Sequence, residues 1–298
     1  MEVYNISRKL YESLIRYETN TLNTESELFI VPEKNKWNNN HIILKRFSNT
    51  KGDYFGNKLY TINSLINSKD KIGIEEIVFP DKLAIYNKEI IGITMKLING
   101  VNLDYILSNS NYTPTFKKEL LIQVGQILNK LKSVRTYNNI KDFFIGDLHE
   151  GNFVYNFDTK EINVVDMDSC KINGNKPFPS KYLYRSKIIK ELSHKYKTTD
   201  NIYFPEYIPD ENTDYFCYIM MILNYLSGTV IEKMNYNEYY TYLDYLNSLG
   251  YNLELLTIFE NVYSNKDNTN PVDYLDTLPN DYKTLALSNY NVYKTIKK

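Results

Sequence analysis

Cysteine is scarce in this chain of 298 residues, where only Cys170 and Cys217 occur. Two cysteines are too few to hold a scaffold of this size together by disulfides, and they lack the C-x-x-C spacing of a zinc site. Residues 1–20 contain no continuous apolar stretch of the kind found in a signal peptide. The sequence therefore predicts a protein of a reducing compartment, with a cytoplasmic location.

An excess of charge of either sign is also missing. The chain has 35 basic and 36 acidic residues and a formal net charge of −1. Such a balance provides no overall field that would attract nucleic-acid phosphates or an anionic lipid surface. The most apolar run, residues 215–223, spans nine positions, about half of the roughly 20 needed to cross a bilayer. We therefore expect no nucleic-acid partner and no membrane partner.

The chain does have enough apolar sequence for a large core, with 43% hydrophobic and 24% charged residues. Two β-rich runs at 28–31 and 41–47 flank a polar turn at 34–40, and this pattern predicts a hairpin. The other elements predicted in the first hundred residues are a helix at about 54–67 and strands at about 83–86 and 90–97.

Beyond Gly100 the hydrophobic pattern changes to helical spacing. Residues 103–107 and 114–131 carry apolar stripes that predict amphipathic helices. Two short β-like runs, at 153–155 and 162–165, interrupt this helical half. The sequence therefore predicts an α+β protein whose β-rich part and helical part meet near Gly100.

Two segments of the helical half combine acids and an amide at fixed offsets. They read I-G-D-L-H-E-G-N at 145–152 and I-N-V-V-D-M-D-S at 162–169. Asp147 precedes Asn152 by five positions, and Asp166 follows an apolar strand nineteen positions after Asp147. This order resembles the catalytic loop, H-R-D-L-x-x-x-N, and the metal-binding loop, D-F-G, of the protein-kinase-like superfamily.

The resemblance implies a bilobal protein-kinase-like fold. Residues 1–98 would form a small N-lobe with an antiparallel sheet and one helix. Residues 99–298 would form a larger, mostly helical C-lobe that carries the catalytic and metal loops at 145–169. An ATP- and Mg²⁺-dependent phosphotransferase is the activity that such a resemblance implies.

Four residues receive roles from their matched positions in the two loops. Asp147 would be the catalytic carboxylate that accepts the proton of the acceptor hydroxyl. Asn152 and Asp166 would bind the nucleotide cofactor through Mg²⁺, which prefers oxygen ligands. Asp168 would either add a metal ligand or be solvated.

Residues upstream of the loops fall in the order that the same resemblance implies. Lys45 ends the strand I-I-L-K, which resembles V-A-I-K, whose lysine contacts the α- and β-phosphates. Its place in this order favours a catalytic and ATP-binding role over that of a surface charge. Met95, Lys96 and Ile98 lie in a segment that resembles the connection between lobes. Met95 would back the adenine pocket, and Lys96 and Ile98 would offer main-chain groups to adenine.

Three downstream segments also resemble parts of the family. Asp214 begins an apolar helix at 214–221 and would brace the catalytic loop. Residues 203–206, Y-F-P-E, resemble the A-P-E that closes the activation segment. Residues 258–278 resemble the last pair of helices.

Two parts of the family pattern are missing. No glycine precedes Gly52, so the Gly-rich roof over the phosphates is absent and the turn at 21–26 is expected to replace it. The helix glutamate that pairs with the strand lysine is also absent, because Asn57 or Lys58 occupies its place. The glutamates at 75–76 are the alternative partners in the sequence.

Three functions are compatible with these residues. The first is phosphorylation of a protein Ser or Thr hydroxyl. The second is phosphorylation of a small hydroxylated molecule, because His149, two residues after Asp147, is more typical of aminoglycoside and choline phosphotransferases. The third is a pseudokinase or nucleotide-binding module, favoured by the two missing parts. The expected partner is therefore a protein substrate or a small-molecule acceptor.

Overall fold

The computed structural model describes residues 2–17, 26–32, 42–138, 140, 142–175, 210–227 and 233–248. Within these ranges the protein has an α+β architecture with a six-stranded mixed sheet, a three-stranded antiparallel sheet and six α-helices. The α+β class is therefore confirmed. The predicted turn at 34–40, nearly all of the turn at 21–26, and the segments 203–206 and 258–278 lie outside the described residues.

The elements are numbered here within the described residues. Those of the N-terminal part are β1 (Val3–Asn5), α1 (Arg8–Glu12), β2 (Ile15–Arg16), β3 (Ser26–Val31), β4 (Ile42–Phe47), α2 (Gly52–Ile72), β5 (Pro80–Tyr86) and β6 (Glu89–Lys96). Those that follow are β7 (Val101–Asn102), α3 (Leu103–Ser108), α4 (Pro114–Tyr137), β8 (Phe153–Asn156), β9 (Glu161–Val164), α5 (Glu211–Ser227) and α6 (Tyr236–Ser248).

The six strands of the large sheet lie in the order β1-β5-β6-β4-β3-β2. The predicted hairpin is confirmed, because β3 and β4 pair antiparallel and Leu28 lies opposite Lys45. On its other side Lys45 faces Ile93 of β6. Lys45 therefore lies on a central strand of the sheet, where neighbouring strands on both sides restrict its movement.

Helix α2 covers one face of the sheet and is longer at both ends than the predicted 54–67. Phe55 and Ile62 of α2 pack against Leu83 and Ile93 of the sheet. The helix ends at Gly73, whose left-handed backbone (φ 61°) lets its N–H bond the Lys69 carbonyl. Glycine adopts this conformation at a helix C-terminus at the least cost. The hydrogen bond from Gly73 therefore caps the helix, whose last residue is Ile72.

The first 16 residues add two strands and one helix that the sequence pattern did not predict. Strand β1 pairs parallel with β5 at one edge of the large sheet, and β2 pairs antiparallel with β3 at the opposite edge. Helix α1 connects them across the outer face, where Tyr11 stacks on Tyr86 with ring centroids 4.1 Å apart. Arg46 donates a hydrogen bond of 2.7 Å to the Tyr11 hydroxyl. The N-terminal segment therefore covers the face of the sheet opposite α2.

The helices after Gly100 form the largest core. Helix α4 extends beyond the predicted 114–131 because Val134 continues the buried stripe by another turn. Its start is as the sequence indicates, with Pro114 in the first turn and a Thr113 cap that accepts from the Phe116 N–H. Tyr218 of α5 donates to the Leu121 carbonyl at 2.7 Å, which joins α5 to α4.

Two backbone contacts connect the segment after α2 with the small sheet, whose strand order is β7-β8-β9. The Val78 N–H donates to the Val164 carbonyl, and the Val164 N–H donates to the Glu76 carbonyl. The end of β9 therefore meets the region that follows α2. In the described ranges, none of the helices combines the length and the apolar character that crossing a bilayer requires.

Candidate functional site

A side chain of helix α5 holds the backbone of the predicted catalytic loop. The carboxylate of Asp214 accepts hydrogen bonds from the backbone N–H groups of Ile145, at 2.9 Å, and Gly146, at 2.8 Å. The predicted contact of Asp214 with this loop is therefore confirmed. Burial raises the pKa of Asp214 to about 6, because the two N–H donors and Arg135 only partly offset the loss of water.

Helix α5 begins earlier than predicted, and this places Asp214 in its first turn. The Asp210 carboxylate accepts from the Thr213 N–H at 3.0 Å and acts as the helix cap. Asp214 therefore lies close to the helix N-terminus, where the partial positive charge of the backbone favours a carboxylate.

Asp147 and Asn152 lie at the two ends of one tight loop. The Asn152 side-chain amide donates to the Asp147 carbonyl at 2.9 Å. Because this bond uses the amide nitrogen, the oxygen of the same side chain is the atom that suits a hard cation. The five-residue spacing seen in the sequence therefore produces a loop in which the amide is fixed by the backbone of the acid.

The hairpin of β8 and β9 brings Asn152 next to Asp166. Phe153 lies opposite Val164 in this hairpin, and the Val165 N–H donates to the Asn152 carbonyl at 2.8 Å. Asp166 then leaves the strand with a left-handed backbone, φ 64°. Asp tolerates this conformation better than most residues, and such conformations concentrate at functional sites.

Lys45 crosses from the large sheet to the end of β9. Its Nζ contacts Asp166 Oδ1, and it lies 2.7 Å from Asp168 Oδ1. The Lys45 side chain is 4% exposed and that of Asp168 is 1% exposed, whereas that of Asp166 is 31% exposed. The structure thus brings together Lys45 and Asp166, which the sequence assigned to the same site, and leaves one side of Asp166 open.

Asp168 is an acidic partner of Lys45 that the sequence did not predict. The alternative at 75–76 does not supply this partner, because the Glu76 carboxylate pairs with Lys130. Lys58, one of the two residues that the sequence offered in place of the missing helix glutamate, reaches Asp168 Oδ2 with its Nζ at 2.9 Å. Asp168 therefore lies between two lysines, one from β4 and one from α2.

The charged groups of this cluster shift one another's pKa values. Burial alone would lower the pKa of Lys45, but the carboxylates of Asp166 and Asp168 outweigh it and the pKa lies above its ordinary value. Burial raises the pKa of Asp166 to about 7, and the neighbouring Asp168 carboxylate contributes to this increase. Burial also opposes the charge of Asp168, yet Lys45 and Lys58 lower its pKa. Lys45 is therefore a cation and Asp168 an anion at neutral pH.

An apolar cluster lies beside Lys45 where the two sheets meet. Met95 of β6 lies opposite Ile43 of β4, and both are buried together with Ile98. Half-buried side chains from both sheets pack against them, including Val154 of β8 and Val165, which directly precedes Asp166. Flat heteroaromatic ligands favour surfaces of this kind.

The segment that leaves β6 also brings its backbone into this region. Lys96 is exposed and lies opposite Ile42 at the end of the β4–β6 ladder. A Cβ placed on Gly100 would lie 2.3 Å from the Tyr155 carbonyl oxygen. Only glycine permits this approach, so residues 98–100 pass directly beside β8.

His149 caps the short 3₁₀ turn Glu150–Asn152. Its Nδ1 accepts from the Gly151 N–H at 3.0 Å, and its Nε2 lies 3.8 Å from Asp147 Oδ2. The described contacts therefore give His149 a role within the loop.

The donor set suits a cation bound in part by phosphate. In the described part of the chain, no cluster of three or more His, Cys, Asp or Glu side chains could hold a metal ion. Asn152 and Asp166 instead offer one amide oxygen and one carboxylate. Mg²⁺ is typically bound by one or two protein oxygens together with substrate phosphates and water, and the residues therefore fit this ion.

Several residues of the site were not found by sequence reasoning. Asn57 or Lys58 was expected in the place of a glutamate, but the contact of Lys58 with Asp168 was not predicted. Val154 and Val165 flank Asn152 and Asp166 closely in sequence, and this proximity was the signal that they line the same region.

Comparisons with known proteins add no family. A scan of the sequence against protein-family models finds no match, and a search of curated proteins finds no significant one. The functional argument therefore depends on the site itself.

Proposed function

We propose that this protein is an ATP- and Mg²⁺-dependent phosphotransferase of the protein-kinase fold that phosphorylates a Ser or Thr hydroxyl of a protein. The observation that carries the proposal is the contact of Lys45 with Asp166 beside a loop that joins Asp147 to Asn152. A cation, a carboxylate and an amide oxygen gathered in this way suit a nucleotide triphosphate. The lobes would be residues 1–98 and 99–298, with the large sheet in the first.

The nucleotide would lie in the region where the two sheets meet. Adenine would pack on the apolar cluster beside Met95, and the backbone of Lys96 and Ile98 would meet its polar edge. The ammonium of Lys45 would contact the α- and β-phosphates. The buried position of Lys45 on a central strand supports this role, because a fixed cation needs little reorganisation when phosphate binds.

Asn152 and Asp166 would hold Mg²⁺, which when bound neutralises the negative charge of the phosphates. Asp147 would orient the acceptor hydroxyl and accept its proton while the hydroxyl oxygen forms a bond to the γ-phosphorus. The bond between that phosphorus and the β–γ bridging oxygen breaks, and ADP leaves with the electron pair. Asp214 would keep the loop of Asp147 in place through its backbone bonds.

A small hydroxylated molecule is the second candidate acceptor. The run D-L-H-E-G-N, with His149 two residues after Asp147, is the feature that favours it. Measuring ADP release with hydroxylated metabolites, aminoglycosides and protein mixtures separates the two. Stimulation by small molecules alone would replace the protein acceptor by a small one.

The test of the activity is phosphoryl transfer followed by intact mass. Purified protein is incubated with Mg-ATP, with and without a lysate, and mass increases of one phosphoryl group are recorded. We expect transfer by the wild type and its loss in Asp147→Asn and Asp166→Asn. Asp158→Asn, in an exposed turn, is the matched control and should retain activity.

Nucleotide binding without transfer would instead support a binding module. Saturation at about 100 times the dissociation constant stabilises a protein by about 2.7 kcal/mol, so a thermal shift with Mg-ATP detects it. Absence of both transfer and any nucleotide-dependent shift in the wild type would refute the proposed function.

A further inference from the structure

Asp168 makes two ion pairs that use both of its carboxylate oxygens. Oδ1 lies 2.7 Å from the Nζ of Lys45, and Oδ2 lies 2.9 Å from the Nζ of Lys58. With a side chain that is 1% exposed, Asp168 is enclosed between the sheet and helix α2. With an ammonium next to each oxygen and almost no exposed surface, Asp168 offers little access to a metal ion.

Asp166 differs from Asp168 in the same cluster. It contacts Lys45 through one oxygen, and its side chain is 31% exposed. It also leaves β9 next to Val165, whose N–H is bonded to the backbone of Asn152. The open side of Asp166 and its link to Asn152 favour these two residues, rather than the enclosed Asp168, as the ones that would hold the cation.

Lys58 is held in a specific position on α2. Its Nζ lies 5.1 Å from the centre of the Phe47 ring and 5.7 Å from that of Tyr54. These rings favour a cation at this spot, and the side chain is buried. Lys58 therefore presents a fixed positive charge to Asp168 rather than a mobile surface charge.

Two more contacts join α2 to the chain that follows Asp168. The Tyr60 hydroxyl donates to the Asn173 carbonyl at 2.9 Å. The Asn175 amide donates to the Thr61 hydroxyl at 2.5 Å. Together with the ion pair of Lys58, they attach positions 58, 60 and 61 of α2 to residues 168–175.

We propose that Asp168 is a positioning residue that holds Lys45 and helix α2 together, and that it is not a ligand of the cation. Helix α2 lacks the glutamate that would pair with Lys45. The charges are reversed here, because the helix supplies Lys58 and the loop after β9 supplies the carboxylate of Asp168. This inference rests on the proposed function, because it describes how the phosphate-binding lysine is held.

The first experiment measures the Mg²⁺ dependence of ATP binding by calorimetry, and turnover per nucleotide-binding site. The variants are Asp168→Asn and Asp166→Asn, with Glu76→Gln as a control that removes an acid from an ion pair outside the site. Normalising turnover to binding sites removes any loss that is due only to unfolded protein.

For Asp168→Asn we expect turnover per site to fall by at least about tenfold. The Mg²⁺ concentration at half-saturation should change by less than about twofold, because no metal ligand is lost. Asp166→Asn should raise that concentration by at least about tenfold, and Glu76→Gln should match the wild type. An increase in the Mg²⁺ requirement of Asp168→Asn equal to that of Asp166→Asn would overturn the proposal, as would unchanged turnover.

The second experiment uses unfolding of the protein without nucleotide or metal, and compares Lys58→Met in two backgrounds. With Asp168 present, the substitution removes a buried ion pair and should lower the melting temperature. In Asp168→Asn that ion pair is already absent, so the same substitution should lower the melting temperature by clearly less. Equal effects in both backgrounds would contradict the bridging role of Asp168.

The two experiments separate this inference from the proposed function. If the wild type neither binds nor uses Mg-ATP, the proposed function fails before any variant is compared, and the positioning role fails with it. If the wild type is active and Asp168→Asn loses Mg²⁺ affinity, only the inference about Asp168 fails.

Discussion

The carboxylate of Asp214 accepts a hydrogen bond of 2.8 Å from the backbone N–H of Gly146. A second bond, from the Ile145 N–H, uses the other oxygen of the same carboxylate. One side chain of helix α5 thus satisfies two consecutive backbone donors directly before Asp147. The position of Asp147, the proposed catalytic base, therefore depends on a residue 67 positions away in the sequence.

Asp214→Asn is expected to change how stability depends on pH. The pKa of Asp214 is raised to about 6 in the folded protein, from 3.8, so the folded state binds the proton more tightly than the unfolded state. This contribution is fully present below about pH 4 and is lost as the pH rises through about 6. The free energy of unfolding of the wild type minus that of the variant should fall by about 2 kcal/mol between pH 4 and pH 7.

Urea unfolding at several pH values measures this difference. Asp158→Asn, which removes an exposed carboxylate, provides the baseline for losing one surface charge. A difference between wild type and Asp214→Asn that is constant with pH would show that burial of Asp214 does not raise its pKa.

Gly92→Ala should disturb the strand that carries Lys45. A Cβ at Gly92 would lie 2.1 Å from the Lys45 carbonyl oxygen, so the neighbouring backbone must move. We expect a loss of about 1–3 kcal/mol in the free energy of unfolding, together with weaker binding of Mg-ATP.

Gly56→Ala is the matched control for Gly92→Ala. Gly56 lies in α2, and a Cβ there meets no atom within 4 Å. Its substitution should stabilise the protein by roughly 0.5–1 kcal/mol. Equal melting temperatures for the two variants would contradict the close approach at Gly92.

His149→Asn tests whether the imidazole acts only within its loop. The Asn side-chain oxygen can replace Nδ1 as the acceptor of the Gly151 N–H, whereas Ala cannot. We expect His149→Asn to retain turnover and His149→Ala to lose both turnover and about 1 kcal/mol of stability. Similar losses of turnover in the two variants would indicate that the ring contacts phosphate or the acceptor.

Val154→Ala should weaken nucleotide binding more than it weakens the fold. Val154 is half-buried in the apolar cluster with Met95. Removing two carbon atoms from a ligand contact costs about 0.8 kcal/mol each, which amounts to roughly a tenfold increase in the Kd of ATP. Val134→Ala, in the core at the end of α4, makes the same chemical change elsewhere.

Calorimetry with ATP and thermal unfolding give the two readouts. The control should lose stability and keep its ATP affinity. Unchanged affinity in Val154→Ala would exclude the apolar cluster as the adenine site.

Local patterns predicted the elements that carry the site. The strand of Lys45, the hairpin before Asp166 and the helix of Asp214 each have an unmistakable periodicity or an apolar run bounded by turn residues. Their contacts were expected from the resemblance of the ordered motifs to the protein-kinase-like superfamily. Helix and strand ends were less predictable, because capping by Gly73 or Asp210 decides them.

Pairings between distant segments could not be predicted from the same patterns. In the contact of Lys58 with Asp168 the helix supplies the positive charge, where a helix glutamate would supply a negative one. Neither residue has a local sequence feature that identifies the other. Strands β1 and β2 are only three and two residues long. Strands so short depend on their partner strands for stability rather than on their own sequence.

The position of β1 also has a consequence for biosynthesis. Val3 pairs with Leu83 in the parallel β1–β5 ladder. A ribosome delivers Val3 first and its partner only after most of the large sheet has been translated, and such distant pairings slow folding. Strand β1 is therefore made before its partner, and it can join the rest of the large sheet only after β5 and β6 have left the exit tunnel.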